Sequence, residues 1–342
     1  MEEVNKHGLA RYIPTDIRRQ IRINSKFGCV LCRKGLYQYE HIDPEFKEAK
    51  EHSADAMCCL CGGCHDSVTR GQISKGAIKA AYSKIRSATL SEVAPPVGPL
   101  DFYDGNAELK IGNLLYSPAV HTVLRYHDRD IIRVTPGING EPGRISATFT
   151  NDLGETILKL NENEWIGSLE NWDIEITGPR ITVRSALGRV ALKIRLDPPG
   201  RLVLETLDMR IHSGHVIATE DTYAVGRYVS EDVVDWIYAP IKITKSLPTG
   251  TAIEFTTPEI LDQRDKQFMN AGQELATIDR NMVMNSNVGV YVKSLGIAVA
   301  SLCGSFQISE FVRGKRKISD VRNVIAKDPR KLFRFIGTGS IE

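Results

Sequence analysis

Cysteine placement constrains this chain more than any other feature of its sequence. Six of the seven cysteines among the 342 residues lie within a window of 36 residues. Cys29 and Cys32 form one Cys-x-x-Cys pair, and Cys61 and Cys64 form a second pair after 28 intervening residues. Two such pairs supply four thiolates, the ligand set of a tetrahedral structural zinc site. We therefore predict a small domain that one Zn²⁺ ion stabilises through these four cysteines.

The other two cysteines in this window, Cys58 and Cys59, lack the Cys-x-x-Cys spacing. We interpret them as small buried side chains of the strand or turn that leads to the second pair. Disulfide scaffolds belong mostly to short secreted chains, and residues 1–14 contain no apolar segment of the kind that a signal peptide needs. The sequence therefore favours a cytoplasmic protein with a metal site.

Chain length and local composition predict more than one domain. A proline-rich segment, residues 94–99, follows the cysteine region and is a candidate linker. From about residue 102 to 256, short stretches of alternating polar and apolar residues are separated by turn motifs, which is typical of a β sandwich or a β solenoid. We therefore predict an N-terminal domain over residues 1–93 and a β-rich domain over residues 102–256.

The C-terminal region, residues 257–342, is predicted to be helical and basic. Thr257 can cap a helix and Pro258 suits its first turn, so we expect a helix that runs to about Met284. The last residues are rich in lysine and arginine and are expected to be partly helical. The predicted fold class is therefore α+β: a small zinc-stapled domain, a β-rich domain and a helical C-terminal region.

Charge is unevenly distributed, although the net charge is only +2. Residues 1–90 hold 15 basic and 10 acidic side chains, and residues 309–342 hold 9 and 4, so both ends are positive. Residues 91–308 are negative, with 20 basic and 28 acidic side chains. A polyanion is attracted to such ends, which weakly favours nucleic acid as a partner. The longest apolar run, residues 296–303, is too short to span a membrane, so no membrane partner is expected.

A second group of residues within the cysteine region can carry chemistry. Glu40 and His41 lie between the two cysteine pairs, and His65 directly follows the last cysteine of the second pair. A zinc site built from four cysteines needs none of these three residues. The combination resembles the zinc-stapled type of the HNH (ββα-metal) endonuclease family, over roughly residues 11–85.

The resemblance implies a fold, a reaction and a role for each residue. Members of this family fold as a β hairpin followed by a helix, and they hydrolyse phosphodiester bonds, mostly those of DNA. Glu40 and His65 would bind a catalytic Mg²⁺ or Mn²⁺ ion, His41 would be the general base, and the Zn²⁺ ion would be structural. From the residues alone, two alternatives stay open: His41 as a structural histidine, and His65 as a zinc ligand in place of a cysteine.

One position departs from the family pattern. The family places an asparagine nine residues before the last histidine, where this chain has Ala56. That asparagine braces the loop and helps to orient the base, so its loss affects the rate of catalysis more than metal binding. His52 and Asp55 lie close in sequence and are alternative candidates for the bracing role.

Residues upstream of the first cysteine predict a basic amphipathic helix. Ile13, Ile17 and Ile21 recur at helical spacing and are expected to share one face. We interpret the basic side chains of this segment as contacts to nucleic-acid phosphates, and the alternative is a solvated helix face. The predicted phosphate-binding residues are Arg18, Arg19, Arg22 and Lys26.

Three functions follow as alternatives. The first is a metal-dependent endonuclease, with DNA favoured over RNA because the family mostly cuts DNA. The second is a zinc module that binds nucleic acid without cutting it, which Ala56 favours. The third is a prokaryotic defence effector whose β-rich domain forms a homo-oligomer, or binds a protein partner, and regulates a dormant nuclease.

Overall fold

The computed structural model of the chain describes residues 4–90, 92–93, 108–112, 114–116, 122–135, 137, 143–198, 200–238, 241–243, 251–270, 276–279, 282–285, 289–295, 297–301, 306–308 and 312–337. Within these ranges the protein is mixed α+β and consists mostly of β strands, which confirms the predicted class. None of the described helices is long and apolar enough to cross a membrane. The predicted linker, residues 94–99, and Cys303 lie outside the described residues.

The helices in the described part of the chain are α1 (Thr15–Asn24), α2 (Gly62–Thr69), α3 (Lys75–Ser87), α4 (Pro258–Asn270), α5 (Ile318–Lys327) and α6 (Leu332–Gly337), with short 3-10 helices at Lys293–Leu295 and Pro329–Lys331. The first strands are β1 (Gln38–His41), β2 (Met57–Leu60), β3 (Glu92–Val93), β4 (Glu108–Ile111), β5 (Leu114–Tyr116), β6 (Thr122–Tyr126), β7 (Arg129–Thr135), β8 (Arg144–Thr150), β9 (Thr156–Asn161), β10 (Glu164–Ser168), β11 (Asp173–Thr177) and β12 (Arg180–Ala186). The later strands are β13 (Arg189–Asp197), β14 (Arg201–Ile211), β15 (Gly214–Thr219), β16 (Tyr223–Tyr228), β17 (Val233–Tyr238), β18 (Ile241–Ile243), β19 (Thr251–Phe255), β20 (Ala276–Asp279), β21 (Met282–Asn285), β22 (Gly289–Val292), β23 (Ile297–Ser301), β24 (Phe306–Ile308) and β25 (Val312–Lys317).

The chain divides into two compact units. The first comprises Met1–Pro99 and Glu164–Arg189, and the second comprises Leu100–Asn163 and Val190–Glu342. The segment Glu164–Arg189 thus groups with the N-terminal region, although it lies within the range that local composition assigns to the β-rich domain. The three predicted domain boundaries themselves stay a prediction.

In the first unit, a β hairpin is followed directly by a helix. β1 and β2 pair antiparallel, with His41 opposite Met57. All four residues of β2 are buried, as their apolar sequence requires of a strand that is covered on both faces. α2 begins immediately afterwards, where the Sγ of Cys61 accepts a hydrogen bond from the backbone N–H of Cys64 and caps the helix.

The two faces of the hairpin pack into separate small cores. On one face, Ile21 of α1 is buried with Met57 and Cys59 of β2, and Ile13 and Ile17 pack against this cluster. The three isoleucines therefore pack on one cluster, but Ile13 precedes α1, so only Ile17 and Ile21 share a helix face. The core on the other face consists of Cys29, Val30, Ile42, Cys58, Leu60, Cys61, Ile78 and Tyr82.

The second unit contains two extended sheets. One has the strand order β20-β21-β22-β23-β19-β6-β7-β8-β9, and the other has the order β13-β14-β15-β16-β17-β25. Most neighbouring strands are antiparallel, while β6 with β19 and β4 with β14 form parallel pairs. In β8, buried residues alternate with half-buried ones, which is the period-2 pattern that predicted strands in this region.

The helix predicted from Pro258 to about Met284 is too long. The Oγ1 of Thr257 accepts a hydrogen bond from a backbone N–H of the first turn, which supports the predicted cap. However, α4 ends at Asn270, and β20 and β21 pair with each other farther along the chain. Strand pairing and the β-branched side chains in both strands override the weak helical periodicity of this segment.

The basic tail combines a strand with helices. β25 pairs with β17, and α5 and α6 follow it. The C-terminal region is therefore mixed, and the prediction that it is mainly helical is wrong for its strands. Val321, Leu332 and Ile336 of the tail helices share a buried cluster with Trp236 of β17.

Candidate active site and metal centre

The four cysteines of the two Cys-x-x-Cys pairs converge on one point in the first unit. Their sulfur atoms all lie within 4.8 Å of one another, and the Sγ atoms of Cys32 and Cys61 are 3.5 Å apart. Zinc–sulfur bonds of about 2.3 Å in a tetrahedron place the sulfurs roughly 3.8 Å apart, so the cluster has the dimensions of a zinc site. The described part of the chain has no other group of three or more potential metal ligands. The structure therefore supports a zinc site at Cys29, Cys32, Cys61 and Cys64.

A tight turn directs the first cysteine pair toward this point. The N–H of Arg33 donates to the carbonyl of Cys29, and the N–H of Cys29 donates to the carbonyl of Lys34, both at 2.9 Å. Arg33 has a φ of 67°, in the left-handed region that disfavours side chains. Its guanidinium donates to the backbone carbonyls of Ser25 and Lys26, which offsets that cost. The protein itself therefore holds the turn in shape.

Cys58 and Cys59 take no part in the cysteine cluster. Both are 0% exposed on β2. Burial raises the pKa of the Cys59 thiol to about 12, and it also raises the pKa of Cys58. They are protonated core side chains, which supports the interpretation made from their spacing.

Glu40 and His65, the predicted ligands of a catalytic ion, face each other. Glu40 lies on β1 and His65 lies in α2, and the Oε2 of Glu40 is 3.1 Å from the Nε2 of His65. Both side chains are partly exposed, at 16% and 35%. One carboxylate and one imidazole at this separation fit a divalent ion that keeps further positions for water and substrate. The structure thus brings the two predicted ligands together.

Lys75, which the sequence places on a basic helix expected to flank the substrate, joins this group through a contact with Glu40 that the sequence did not predict. Its Nζ forms an ion pair with the Oε1 of Glu40 and donates to the backbone carbonyl of His41 at 2.7 Å. Lys75 is the first residue of α3, and no local motif links it to Glu40. Its positive charge balances the carboxylate and competes with a divalent ion for that oxygen.

His41, the predicted general base, ends β1 in a position that is only 8% exposed. Burial lowers the pKa of His41 to about 4, and the neighbouring His52 ring adds to this effect, while Glu40 opposes it. The ring is therefore neutral near pH 7 and able to accept a proton. Phe46 covers it, with ring centres 5.4 Å apart.

His52 contacts the His41 ring directly. The Nδ1 of His52 lies 3.2 Å from the Nε2 of His41, and the Nε2 of His52 lies 2.9 Å from the backbone oxygen of Ala10. His52 is 9% exposed and stacks parallel to Phe46. The segment that precedes α1 thus anchors His52, and His52 in turn anchors His41.

Asp55, the other candidate brace, forms a contact elsewhere. Its Oδ1 pairs with Arg86 at 2.8 Å, and its side chain is 71% exposed. Ala56 stands where the family has asparagine, and its backbone carbonyl accepts a hydrogen bond from Ile42 at 2.8 Å. Of the two candidates for the bracing role, His52 is therefore the one that contacts the predicted base.

Arg22 does not fit the predicted contact to phosphate. It is 1% exposed, and its guanidinium donates two hydrogen bonds to Asp173, at 2.8 and 2.6 Å. It also donates to the hydroxyl of Tyr39 at 2.6 Å, while Arg184 contacts the same Asp173 at 2.9 Å. α1 packs against β11, so the carboxylate of Asp173 takes the place of solvent as the partner of Arg22. We therefore remove Arg22 from the candidate phosphate-binding surface.

The other three predicted phosphate-binding residues are half-buried. The guanidinium of Arg19 lies 3.7 Å from the ring centre of Trp172 and donates to the carbonyl of the same residue. Arg18 lies 5.6 Å above the ring of Tyr12, and Lys26 lies in the turn after α1 with a φ of 51°. Their contact with nucleic acid stays a prediction.

Comparison of the chain with protein-family models, with curated proteins and with solved structures gives no match. The geometry of the site therefore carries the functional argument. The site consists of a neutral buried imidazole, a carboxylate that faces a second imidazole, an ammonium group that forms an ion pair with the same carboxylate, and a four-cysteine cluster.

Proposed function

We propose that the first unit is a metal-dependent endonuclease of the HNH (ββα-metal) type, with DNA as the favoured substrate. One observation carries this proposal. The buried, neutral His41 lies on the same short strand as Glu40, and the carboxylate of Glu40 meets His65 from the following helix. A hairpin that bears the base, followed by a helix that bears the second ligand, is the arrangement that the sequence resemblance implies.

The residues divide the reaction between them. His41 takes a proton from the attacking water, and its burial keeps it unprotonated near pH 7. Glu40 and His65 would hold a Mg²⁺ or Mn²⁺ ion, and such an ion would stabilise negative charge on the phosphate. Lys75 places a further positive charge beside the same carboxylate. When Glu40 binds the metal ion instead of Lys75, the ammonium group of Lys75 can contact a phosphate oxygen.

The cysteine cluster supports this site from one side. Cys61 caps α2 and Cys64 lies in its first turn, directly before His65. A Zn²⁺ ion that joins these two cysteines to the first pair therefore fixes the start of the helix and, with it, the His65 side chain. In this proposal the zinc ion is structural, and Arg18, Arg19 and Lys26 supply contacts to the nucleic-acid backbone.

A second candidate is a zinc module that binds nucleic acid without cutting it. The ion pair between Lys75 and Glu40 favours this alternative, because a lysine that keeps the carboxylate permanently excludes a divalent ion. Ala56, in place of the family's asparagine, favours it as well. The two candidates differ in whether Glu40 and His65 accept a metal.

Plasmid nicking tests the nuclease proposal. With supercoiled plasmid and Mg²⁺ or Mn²⁺, the purified protein is expected to nick, and His41→Ala is expected to lower the rate on the order of 10²–10⁴-fold. Zinc content and DNA affinity should stay unchanged, because the base acts only in the transition state. His7→Ala, a change at an exposed histidine, is the matched control and should keep the original rate.

Two other outcomes are informative. A His41→Ala protein that nicks at the original rate, after contaminating nuclease is excluded, contradicts the assignment of the base. A wild-type protein that binds DNA but neither binds Mn²⁺ nor nicks supports the non-cutting module.

A further inference from the structure

The contacts of His52 determine which nitrogen of each ring carries hydrogen. The backbone oxygen of Ala10 can only accept, so the Nε2 of His52, 2.9 Å away, must carry the hydrogen of that bond. In a neutral His52 ring the Nδ1 then has a lone pair, and it faces the Nε2 of His41 at 3.2 Å. The hydrogen of this second bond therefore lies on the Nε2 of His41, and the lone pair of His41 lies on its Nδ1.

We propose that His52 is a positioning residue that holds His41 in the tautomer with hydrogen on Nε2, so that Nδ1 is the atom that accepts the proton from water. The catalytic part of this inference rests on the proposed nuclease function, whereas the tautomer does not. In the step, the Nδ1 lone pair forms an N–H bond as the O–H bond of water breaks. The water oxygen bonds to phosphorus, the bond from phosphorus to the leaving oxygen breaks, and that oxygen takes a proton from solvent.

The surroundings of the two rings favour a fixed arrangement. Both rings are buried and both contact the side chain of Phe46, so water has little access to the nitrogens that face each other. When His41 becomes positively charged, its Nε2–H still donates to His52, which passes the polarisation on to the Ala10 carbonyl. A hydrogen-bonded partner on the remote imidazole nitrogen is a general means of setting tautomer and orientation. His52 thus performs the bracing role that Ala56 cannot.

Two amide substitutions separate this role from a purely structural one. In His52→Asn, the side-chain oxygen occupies the place of Nδ1 and can still accept from His41, but the donor to Ala10 is lost. In His52→Gln, the side-chain nitrogen occupies the place of Nε2 and can still donate to Ala10, but the acceptor for His41 is lost. The positioning role and a merely structural role therefore predict opposite rankings of the two variants.

The experiment combines nicking kinetics with ¹⁵N NMR of the histidine rings, with the His41 signals identified by their absence in His41→Ala. Wild type and His52→Asn should show the Nε2–H tautomer of His41. His52→Gln should show mixed tautomers and a kcat about 10- to 100-fold lower, with unchanged KM. His52→Asn should recover most of that rate.

The inference is overturned if His41 carries its hydrogen on Nδ1 in the wild type, or if His52→Gln is as active as wild type while His52→Asn is not. A different result separates the two proposals. If the wild type and both variants show the expected His41 tautomers but the wild type does not cut DNA, the tautomer assignment is supported and the nuclease function is contradicted. The two proposals can therefore fail separately.

Discussion

Arg22 joins two parts of the first unit that are far apart in sequence. It lies on α1, its main partner Asp173 lies at the start of β11, and both side chains are 2% exposed. Glu175 lies 3.5 Å from the same guanidinium, and Arg184 contacts both acidic residues. The charges in this group balance one another, so removing one member leaves an uncompensated charge in a buried position.

Replacing Arg22 should therefore be costly. Arg22→Met is expected to lower the free energy of unfolding by about 3 kcal/mol, the lower end of the range for a broken buried pair, because Arg184 still contacts Asp173. Arg18→Met on the same helix is the matched control, with an expected loss below about 1 kcal/mol. Urea unfolding measures both, and equal losses would contradict the importance of the buried pair.

Sequence reasoning succeeded at residues whose partners are close in the chain or belong to a strict motif. The spacing of the cysteines predicted their cluster, and the resemblance to the HNH family predicted that Glu40 and His65 are neighbours in the fold. Arg22 was wrongly assigned because helical periodicity shows which side chains face polar surroundings, and it does not show whether those surroundings are solvent or a buried carboxylate. The pairing of Lys75 with Glu40 was not predicted, because a lysine at the start of a helix carries no sign of its partner.

At the scale of elements, α5 is attached to the second unit through a buried charged network. Arg322 of α5 donates to both carboxylate oxygens of Asp208, at 2.6 and 2.9 Å. The Nε2 of His215 lies 2.8 Å from Asp208, and the hydroxyl of Tyr228 lies 3.0 Å from the other nitrogen of that ring. His215 is 0% exposed, so this network also determines how the unit responds to acid.

We expect the second unit to lose stability on acidification. Burial lowers the pKa of His215 from its ordinary value of 6.5, although Asp208 opposes the change. Between pH 6.5 and the lowered pKa of the folded state, the unfolded chain binds a proton that the folded chain does not bind, so the free energy of unfolding falls as pH decreases through this range. The slope is at most about 1.4 kcal/mol per pH unit for one proton.

Urea unfolding between pH 7 and pH 5 measures this effect. His215→Gln, which cannot titrate, should flatten the pH dependence, whereas His212→Gln at an exposed histidine should leave it unchanged. If His215→Gln keeps the slope of the wild type, the buried histidine is not its source.

Element lengths were harder to predict than element types. Period-2 alternation identified strands such as β8, in which buried residues alternate with half-buried ones. The predicted end of α4 was wrong because residues that follow the helix form the paired strands β20 and β21. Pairing with a neighbouring strand outweighs the helix propensity of a short segment.

At the scale of the whole molecule, the two units should respond differently to loss of metal. The first unit has small cores around a hairpin and a four-cysteine cluster. The described residues of the second unit form extended sheets and contain no comparable group of ligands. Zinc binding is therefore expected to contribute to the folding of the first unit alone.

Metal removal tests this expectation. Elemental analysis should give one Zn²⁺ per chain, and either a chelator or Cys29→Ser should unfold the first unit while the β-sheet circular dichroism of the second persists. Cys303→Ser should retain zinc and serves as the control. Loss of all structure in a single transition would show instead that the units fold as one.

The pair between Arg22 and Asp173 also has a consequence for synthesis on the ribosome. Asp173 is synthesised 151 residues after Arg22. Once the ribosome has made the predicted N-terminal domain, which ends at residue 93, it must add about 80 more residues before this partner exists. At roughly 5–20 residues per second this delay lasts about 4–16 s. A chain truncated by an early stop codon within that stretch would carry every cysteine of the metal cluster and every residue of the proposed active site. It would nevertheless lack the carboxylate that pairs with the buried Arg22 of α1. Such a product is therefore expected to be degraded faster than the full-length chain.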